Sequence, residues 1–389
     1  MKIKSDAWLY LLEIVLLFGI CLFMMLEQGS TVSLLFHITF FVLLFGLFTQ
    51  LYRNPWMHLL HVLAVVIIVI SFLHVAGQAG AWNFNYFRKL IMFSCTVLMF
   101  PFVSALEVNE KMVRWILILN LGIAALYTVM YLLLPDRGYL QKWLTFHFSN
   151  PNATAMFLMH SILYCAISLY YFKGKFARLL IAALAASLIY YVYETEARSC
   201  YVALAFFAVL VLVYVWRKVR YRSWRPLILI VTVLPLVIVG TYFFLIQNDF
   251  LESVFSFLDF GAGKNLLSRV EIWQDALDHI QRHPILGDYY GLGGADGVSQ
   301  VHNTHLDVWA SYGIVPLVLF LILLYKGTVQ IAGRVKSSFS KIALFAFFAV
   351  IVQGSFEAAL VSGGTGLYIM SFGFLVLAKW ERTDNSKKV

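Results

Sequence analysis

Long apolar stretches recur along the whole of this 389-residue chain and constrain its fold more than any other feature. A helix that crosses a bilayer needs roughly 20 mostly apolar residues. Twelve stretches meet this requirement, and the sequence therefore predicts an all-α, polytopic membrane protein with about 12 transmembrane helices. The stretches lie near residues 8–26, 32–51, 59–75, 88–104, 112–134, 153–172, 177–193, 199–216, 226–246, 306–325, 340–356 and 365–380.

The composition excludes an ordinary soluble domain. Apolar residues make up 61% of the chain and charged residues only 13%, whereas soluble domains carry about 25% charged residues. The first apolar stretch is too long for a removable signal peptide and lacks a small-residue cleavage site, so we expect it to stay attached. We therefore treat residues 1–389 as a single transmembrane helical domain.

The distribution of basic residues predicts the orientation, because cytoplasmic loops of membrane proteins collect lysine and arginine. With the N-terminus inside, 21 of the 29 lysines and arginines fall on the inner side and 14 of the 20 acidic residues on the outer side. Both termini are therefore expected in the cytoplasm. The formal charge of +9 then reflects membrane topology and is not a sign of nucleic-acid binding.

The cysteines and the missing motifs narrow the chemistry. All four cysteines lie within apolar stretches and lack CxxC spacing, so neither a disulfide framework nor a zinc site is predicted. No P-loop, glycine-rich dinucleotide fingerprint or Asp-x-Asp pair occurs. If the protein is an enzyme, we expect it to work without a metal or another cofactor.

Residues 247–305 form an extracytoplasmic loop between the ninth and tenth stretches, and a loop of this length is usually functional or disordered. Ser268 to Glu271 has the pattern of a capping box. Apolar residues then recur at helical spacing until Pro284, namely Val270, Trp273, Leu277 and Ile280. The pattern predicts a short amphipathic helix on the membrane surface.

Two histidines stand where this loop re-enters the membrane. His302 and His305 are three residues apart, so both are predicted to face one side of the first turn of the tenth span. A neutral imidazole can take a proton from a hydroxyl group near pH 7, and Asn303 and Asp307 could orient or polarise the reacting groups. The alternative is a pair that anchors the helix end among the lipid headgroups.

Three arginines on the predicted outer side are candidates for binding an anion. Arg198 could offer its guanidinium fork to a phosphate, or it could pair with a neighbouring glutamate. Arg269 opposes the dipole of its predicted helix, which suggests a functional role. Pairing of Arg269 with Glu271 or with a lipid phosphate is the structural alternative. Arg88, with Lys89, could contribute to the same site. Glu357 is expected to be a membrane-edge or helix-packing group, with a polar path as the alternative.

These residues also carry a family resemblance. His302-Asn303, nine intervening residues and Gly313 resemble the His-Asn-x9-Gly signature of the bacterial O-antigen ligase and polymerase superfamily. Residues 282–287 are similar to the His-Pro-x-x-Gly stretch of those proteins, residues 195–199 to their Thr-x-Ser-Arg segment, and residues 150–152 to their Asn-Pro-Asn turn. The twelve-span layout and the position of the outer loop also agree.

The resemblance implies a membrane glycosyltransferase in the bacterial cytoplasmic (inner) membrane. Its donor would be a glycan linked to polyprenyl diphosphate, and its acceptor a hydroxyl group of a glycan or a lipid-linked glycan on the outer face. The residues expected to be catalytic are His302 as the base and Arg198 and Arg269 on the diphosphate. Those expected to bind substrate are Arg88, His305, Asn303, Asp307 and Arg282.

Several functions remain open at this point. A polymerase is preferred, because the compact chain shows no recognisable surface for a lipopolysaccharide core, and a ligase that transfers a finished glycan to lipid A core or another anchor is the alternative. A flippase or transporter would place charges or broken helices near the membrane midplane, often in repeated halves. A membrane acyltransferase that uses a histidine is a third possibility.

Overall fold

The computed structural model describes residues 12, 15, 38–46, 49, 59–77, 84–133, 144–146, 150–217, 224–246, 267–288, 301–358, 360, 361 and 367–381. Within these ranges the ordered elements are helices and no strand occurs, so the predicted all-α class is confirmed. Most of the first predicted span, half of the second and most of the outer loop lie outside the described residues. Of that loop, the structure describes residues 267–288 and 301–305.

Helices make up most of the described part of the chain. In chain order they are α1 (Leu59–Gly77), α2 (Phe84–Ala105), α3 (Glu110–Leu133), α4 (Pro151–Tyr171), α5 (Lys175–Thr195), α6 (Arg198–Arg217), α7 (Arg225–Ile246), α8 (Leu267–Arg282), α9 (Thr304–Tyr312), α10 (Ile314–Ala332), α11 (Ser338–Gln353) and α12 (Leu367–Ala378).

Six of these helices are long and apolar enough to cross a membrane, namely α1, α3, α4, α5, α6 and α10. Shorter apolar stretches occur in α2, α7, α11 and α12. Length and composition thus indicate a membrane protein. The predicted total of about 12 spans stays a prediction.

The tenth predicted span differs from the expected single helix over residues 306–325. It is divided at Gly313 into the nine-residue α9 and the 19-residue α10. Gly313 has a φ of 90° and a ψ of 177°, which no α-helix accommodates. A nine-residue helix is about 14 Å long, too short to cross a bilayer. The spanning segment therefore begins at Ile314, and α9 precedes it.

The centre of the described bundle is formed by α4, α11 and α12, which pack against one another. Nearly every residue of α11 and α12 is buried. In contrast, α5 and α6 leave leucine, valine and tyrosine side chains exposed along much of their length. Such exposed apolar sides suit contact with lipid tails, as expected for the outer helices of a membrane bundle.

Helix ends that the charge distribution assigns to one side of the membrane meet in the structure. At the predicted cytoplasmic end, the rings of Tyr171, Phe339 and Trp380 contact one another with centroids 5.1 to 6.0 Å apart. The Lys379 ammonium donates to the backbone carbonyls of Val103, Ser104 and Leu106 at the end of α2. The predicted alternation of helix directions therefore agrees with the packing.

Candidate active site

Asn303 determines where α9 begins. It is the N-cap residue, and its Oδ1 accepts from the backbone N–H groups of His305 and Leu306, both at 3.0 Å. Its Nδ2 donates to the carbonyls of Pro235 in α7 (3.0 Å) and Ser355 after α11 (2.9 Å). Only an amide side chain offers an acceptor and two donors together, so Asn303 joins three segments of the bundle.

His302 immediately precedes this cap and turns its ring towards the end of α11. Its Nδ1 lies 2.7 Å from Oε2 of Glu357, whose side chain is 2% exposed while that of His302 is 20% exposed. An ionised carboxylate can only accept, so Nδ1 carries the hydrogen in this pair. In the neutral imidazole, Nε2 then holds the lone pair and can act as a proton acceptor.

Hydrogen bonds join the residues next to His302 to the loop after α11, in which Glu357 lies. Thr304 N–H donates to the Gly354 carbonyl at 2.8 Å, and Thr304 Oγ1 donates to the Glu357 carbonyl at 3.1 Å. Gly354 packs closely here, since an added Cβ would lie 2.9 Å from Thr304 Oγ1. Residues 302–304 and 354–357 therefore form one hydrogen-bonded unit, although 50 residues separate them in sequence.

His305 does not share a side with His302, contrary to the sequence prediction, because His302 lies before the helix and His305 inside its first turn. The His305 ring is buried, and its Nε2 donates to the Thr232 carbonyl at 2.7 Å. This carbonyl lies near Pro235, a position where a helix loses one backbone hydrogen bond. Burial lowers the pKa of His305 to about 4, so this imidazole is neutral at pH 7. The contact favours a role in fixing α9 against α7.

Asp307 lies one turn into α9 and is 5% exposed. Its Oδ1 has no hydrogen-bond partner among the described residues. Burial raises the pKa of this carboxyl group, while the charges of Lys89 and His302 lower it. Lys89 is one helical turn before Phe93, whose ring stacks on Tyr312 with centroids 4.7 Å apart. A buried carboxylate, a lysine and the His302 imidazole are thus neighbours.

The structure gives more support for Lys89 as a member of the site than the sequence did. The sequence offered it together with Arg88, and helical spacing from Phe93 is the signal that favours Lys89 on the side facing α9. Arg88 is the fifth residue of α2, but its side chain is outside the described residues. Its predicted role therefore remains a prediction.

Arg198 is the first residue of α6 and follows Glu196, whose φ of 52° ends α5 in a left-handed turn. Helices α6 and α11 pack extensively, and the Tyr214 hydroxyl lies 2.8 Å from Ser338 Oγ at the start of α11. The two helices must therefore be antiparallel, because in a parallel pair they would overlap by about one turn only. Arg198 then lies about 24 Å from Tyr214, near the end of α11 that carries Glu357.

The predicted amphipathic helix exists as α8, beginning one residue before the expected cap Ser268. Its apolar side packs against protein, and the expected position on the membrane surface stays a prediction. Trp273 and Ile280 pack with Leu306 and Ala310 of α9, and Trp273 Nε1 donates to the Val301 carbonyl at 2.9 Å. The helix thus docks beside His302.

The two arginines of α8 lie at its opposite ends. Arg269 is in the first turn, with its side chain outside the described residues. Arg282 is the last residue, is exposed, and donates from Nε to the Asp278 carbonyl at 3.2 Å. About 20 Å of helix separates the Cα atoms of the two arginines, so a single diphosphate cannot lie beside both Cα atoms. A cation at the C-terminal end of a helix also has a structural explanation in the helix dipole.

The two glycine motifs noted in the sequence meet in space. Gly287 and Gly313 have φ values of 68° and 90°, which favour glycine. An added Cβ at Gly287 would lie 2.6 Å from Gly313 N, and one at Gly313 would overlap the Ile285 carbonyl. Ile314 N–H donates to the Pro284 carbonyl at 3.1 Å. The break between α9 and α10 is therefore where the end of the α8 segment crosses the chain.

Among the described residues, no group of three or more histidine, cysteine, aspartate or glutamate side chains is arranged to hold a metal ion. The site instead combines the His302 imidazole, whose Nδ1 contacts Glu357, with two buried carboxyl groups and basic residues. Such a set can take a proton from a hydroxyl group and hold an anion.

Comparison with known protein families gives a match for the central part of the chain. Residues 180–321 match a family model described as O-antigen ligase. The matched segment extends from α5 into α10 and includes Arg198, α8 and residues 302–313, whereas Glu357 lies beyond it. No curated protein and no solved structure matches the chain. The family match confirms the resemblance that the sequence motifs indicated.

Proposed function

We propose, from the match of residues 180–321 to the O-antigen ligase family model, that this protein is a member of the O-antigen ligase and polymerase superfamily and that it polymerises a bacterial polysaccharide. The donor is a glycan on polyprenyl diphosphate, and the acceptor is a sugar hydroxyl group on the outer face of the cytoplasmic membrane. The observation that carries this proposal is the 2.7 Å contact between His302 Nδ1 and Glu357, which leaves Nε2 as a proton acceptor.

The reaction asks little of the protein beyond charge and proton management. The acceptor oxygen attacks the anomeric carbon of the donor sugar, the bond from that carbon to the diphosphate oxygen breaks, and the hydroxyl proton moves to His302 Nε2. Polyprenyl diphosphate is already a good leaving group. Arg198 and Arg269 stabilise the negative charge that develops on it, because guanidinium groups bind phosphate oxygens through two parallel hydrogen bonds.

The supporting groups have separate roles in this proposal. Asn303 and His305 fix α9 against α7 and the end of α11, so that His302 keeps one position. Asp307, with one carboxyl oxygen lacking a partner among the described residues, accepts a hydrogen bond from a hydroxyl group of the acceptor sugar. Lys89 adds positive charge on the side of α2 that faces α9. Arg88 and Arg282 are weaker candidates for binding donor glycan or phosphate.

Ligation is the second candidate, favoured by the name of the matching family. A ligase would pass a finished glycan once to lipid A core or another anchor, using the same base and the same diphosphate site. A flippase is less well supported, since the ionisable groups of the candidate site gather at one end of the bundle.

Reconstitution tests the proposal directly. Purified protein in liposomes would be mixed with a polyprenyl-diphosphate oligosaccharide, and the products would be separated by size. A ladder of products supports polymerisation, transfer to an added acceptor in a single step supports ligation, and translocation without a new bond contradicts both.

Variants then test the roles of the residues. We expect His302→Ala and Arg198→Ala to abolish product while membrane insertion is unchanged. Arg178→Ala, an exposed arginine near the start of α5, is the matched control and should retain full turnover. Normal turnover in either site variant would remove that residue from the mechanism.

A further inference from the structure

Glu357 is a buried carboxylate in the loop that follows α11, outside the segment that matches the family. Removing a carboxylate from water is unfavourable unless a partner compensates. Its Oε2 lies 2.7 Å from the Nδ1 of His302. From the sequence alone this residue was assigned to the membrane edge or to helix packing, and the structure instead brings it to the proposed base.

The loop geometry leaves the carboxylate little freedom. The N–H groups of Phe356 and Glu357 both donate to the Gln353 carbonyl, at 3.0 and 3.1 Å, so the chain turns sharply after α11. Thr304 bonds the carbonyls of Gly354 and Glu357. The backbone of Glu357 is therefore tied to the residue two positions after His302.

The backbone of His302 is also constrained. Its φ of 52° lies in the left-handed region, which residues with a side chain seldom adopt and which is unfavourable by about 1 kcal/mol or more. Such a conformation persists only when surrounding contacts impose it. The following residue, Asn303, is held by four hydrogen bonds, and the His302 ring is held by Glu357. Both ends of the contact are thus fixed before any substrate binds.

We propose that Glu357 is the positioning residue for His302. It holds the hydrogen on Nδ1, which presents the lone pair of Nε2 to the acceptor hydroxyl group, and its negative charge stabilises the imidazolium that forms as the proton is taken. Glu357 stays ionised throughout, and Nδ1 keeps its hydrogen. This role rests on the proposed transfer reaction, in which Glu357 touches no substrate and acts through His302.

Asp307 does not perform this role. It is equally buried, but its hydrogen-bonding potential is incomplete within the described residues, and it belongs to the same helix that His302 precedes. The two carboxyl groups therefore divide the work, with Glu357 on the far side of the imidazole and Asp307 available to a ligand.

The first experiment measures the tautomer without requiring activity. Protein labelled with ¹⁵N-histidine in lipid bilayers would be examined by solid-state NMR, with His302→Ala used to assign the His302 signals. Wild-type protein should show the Nδ1–H tautomer of neutral His302, and Glu357→Leu should shift the population towards Nε2–H. An Nε2–H tautomer in the wild type, or an unchanged spectrum in Glu357→Leu, would overturn the proposal.

The second experiment separates positioning from binding. In Glu357→Gln, kcat should fall by about 10²-fold, the lower end of what a positioned general base contributes, while the KM for the donor is unchanged. Glu357→Asp should recover part of the loss. Glu381→Gln is the matched control, because Glu381 binds backbone N–H groups at the other end of α11, and its turnover should stay within about twofold of wild type.

The outcomes distinguish this proposal from the proposed function. If wild-type protein forms no new glycosidic bond, the proposed function is wrong, and the tautomer measurement still reports on the Glu357 contact. If wild-type protein is active and Glu357→Gln keeps full kcat, or if Glu381→Gln loses as much activity as Glu357→Gln, the positioning role is wrong.

Discussion

At Gly313 the backbone turns through angles that residues with a Cβ avoid. The φ of 90° is combined with close passage of the Ile285 backbone, so that both conformation and space exclude a side chain. The fold therefore requires a glycine at the last position of the His-Asn-x9-Gly motif. It allows the end of α8 to cross between α9 and α10 and fixes the far end of the helix that His302 and Asn303 begin.

We expect Gly313→Ala to destabilise the protein strongly. Strain at a positive φ costs about 1–3 kcal/mol, and the overlap with the Ile285 carbonyl adds to it. The melting temperature in detergent, followed by fluorescence, should fall by several degrees.

Gly122→Ala is the matched control for this change. Gly122 lies inside α3 with no heavy atom within 4 Å of an added Cβ, and alanine in a helix interior is favoured over glycine by about 1 kcal/mol. The control should melt at the wild-type temperature or above it. Equal melting temperatures for the two variants would show that the crossing at Gly313 is not required.

At the level of the element, α9 depends on one side chain. The helix has nine residues, too few to be stable from its own hydrogen bonds, and isolated helices of this length do not persist in water. Asn303 caps it and joins it to α7 and to the loop after α11, and α8 covers its apolar side. The position of His302 is therefore a product of three neighbouring segments.

We expect Asn303→Asp to lower the free energy of unfolding by about 2 kcal/mol or more. Aspartate keeps the acceptor that caps the helix but loses the two donors to Pro235 and Ser355, and it brings a negative charge against two carbonyl oxygens. Thermal melting and transfer activity would both be measured.

Asn150→Asp is the control for the cap. Asn150 is the N-cap of α4 and only accepts, from Asn152 N–H at 2.9 Å, so aspartate should preserve this contact and interact favourably with the helix dipole. If Asn303→Asp melts as late as Asn150→Asp, the donors of Asn303 contribute nothing to the fold.

At the scale of the whole molecule, two different sets of side chains lie at opposite ends of the described helical bundle. One end contains the rings of Tyr171, Phe339 and Trp380 and the Lys379 contacts, and the other contains His302 and Glu357. The excess of lysine and arginine on the loops of the first end predicts that it faces the cytoplasm. The proposed reaction then takes place on the outer side, where glycans exported on a lipid carrier are found.

Cysteine labelling should reveal this orientation. Gln274→Cys on the exposed side of α8 should react with a membrane-impermeant maleimide in spheroplasts, and Lys175→Cys should react only after the membrane is permeabilised. Cys95, Cys165 and Cys200 are buried and should give little background, and Cys21 would be changed to alanine. Labelling of Lys175→Cys alone in intact spheroplasts would invert the topology.

The sequence alone was enough to identify the class of fold, most of the helices within the described ranges, and the resemblance that the family match at residues 180–321 confirms. These features depend on local composition and on short motifs, since a bilayer demands long apolar helices whatever their neighbours. The residues His302, Asn303, Asp307 and Arg198 were likewise selected from motifs and from their positions at helix ends. Arg269 and Arg88 were selected in the same way, and the catalytic and binding roles of all six residues stay predictions.

Tertiary structure decided which apolar side of each helix faces protein and which side of each imidazole faces a partner. Helices that are apolar on every side carry no pattern that separates a lipid contact from a buried one, so the burial of α11 could not be read from spacing. The spacing of α8 predicted an apolar side, but it did not indicate that this side packs on α9. The break at Gly313 required the crossing of a segment 26 residues away. The pairing of His302 with Glu357 joins residues 55 positions apart. It depends on the hydrogen bonds that join residues 303 and 304 to the loop after α11.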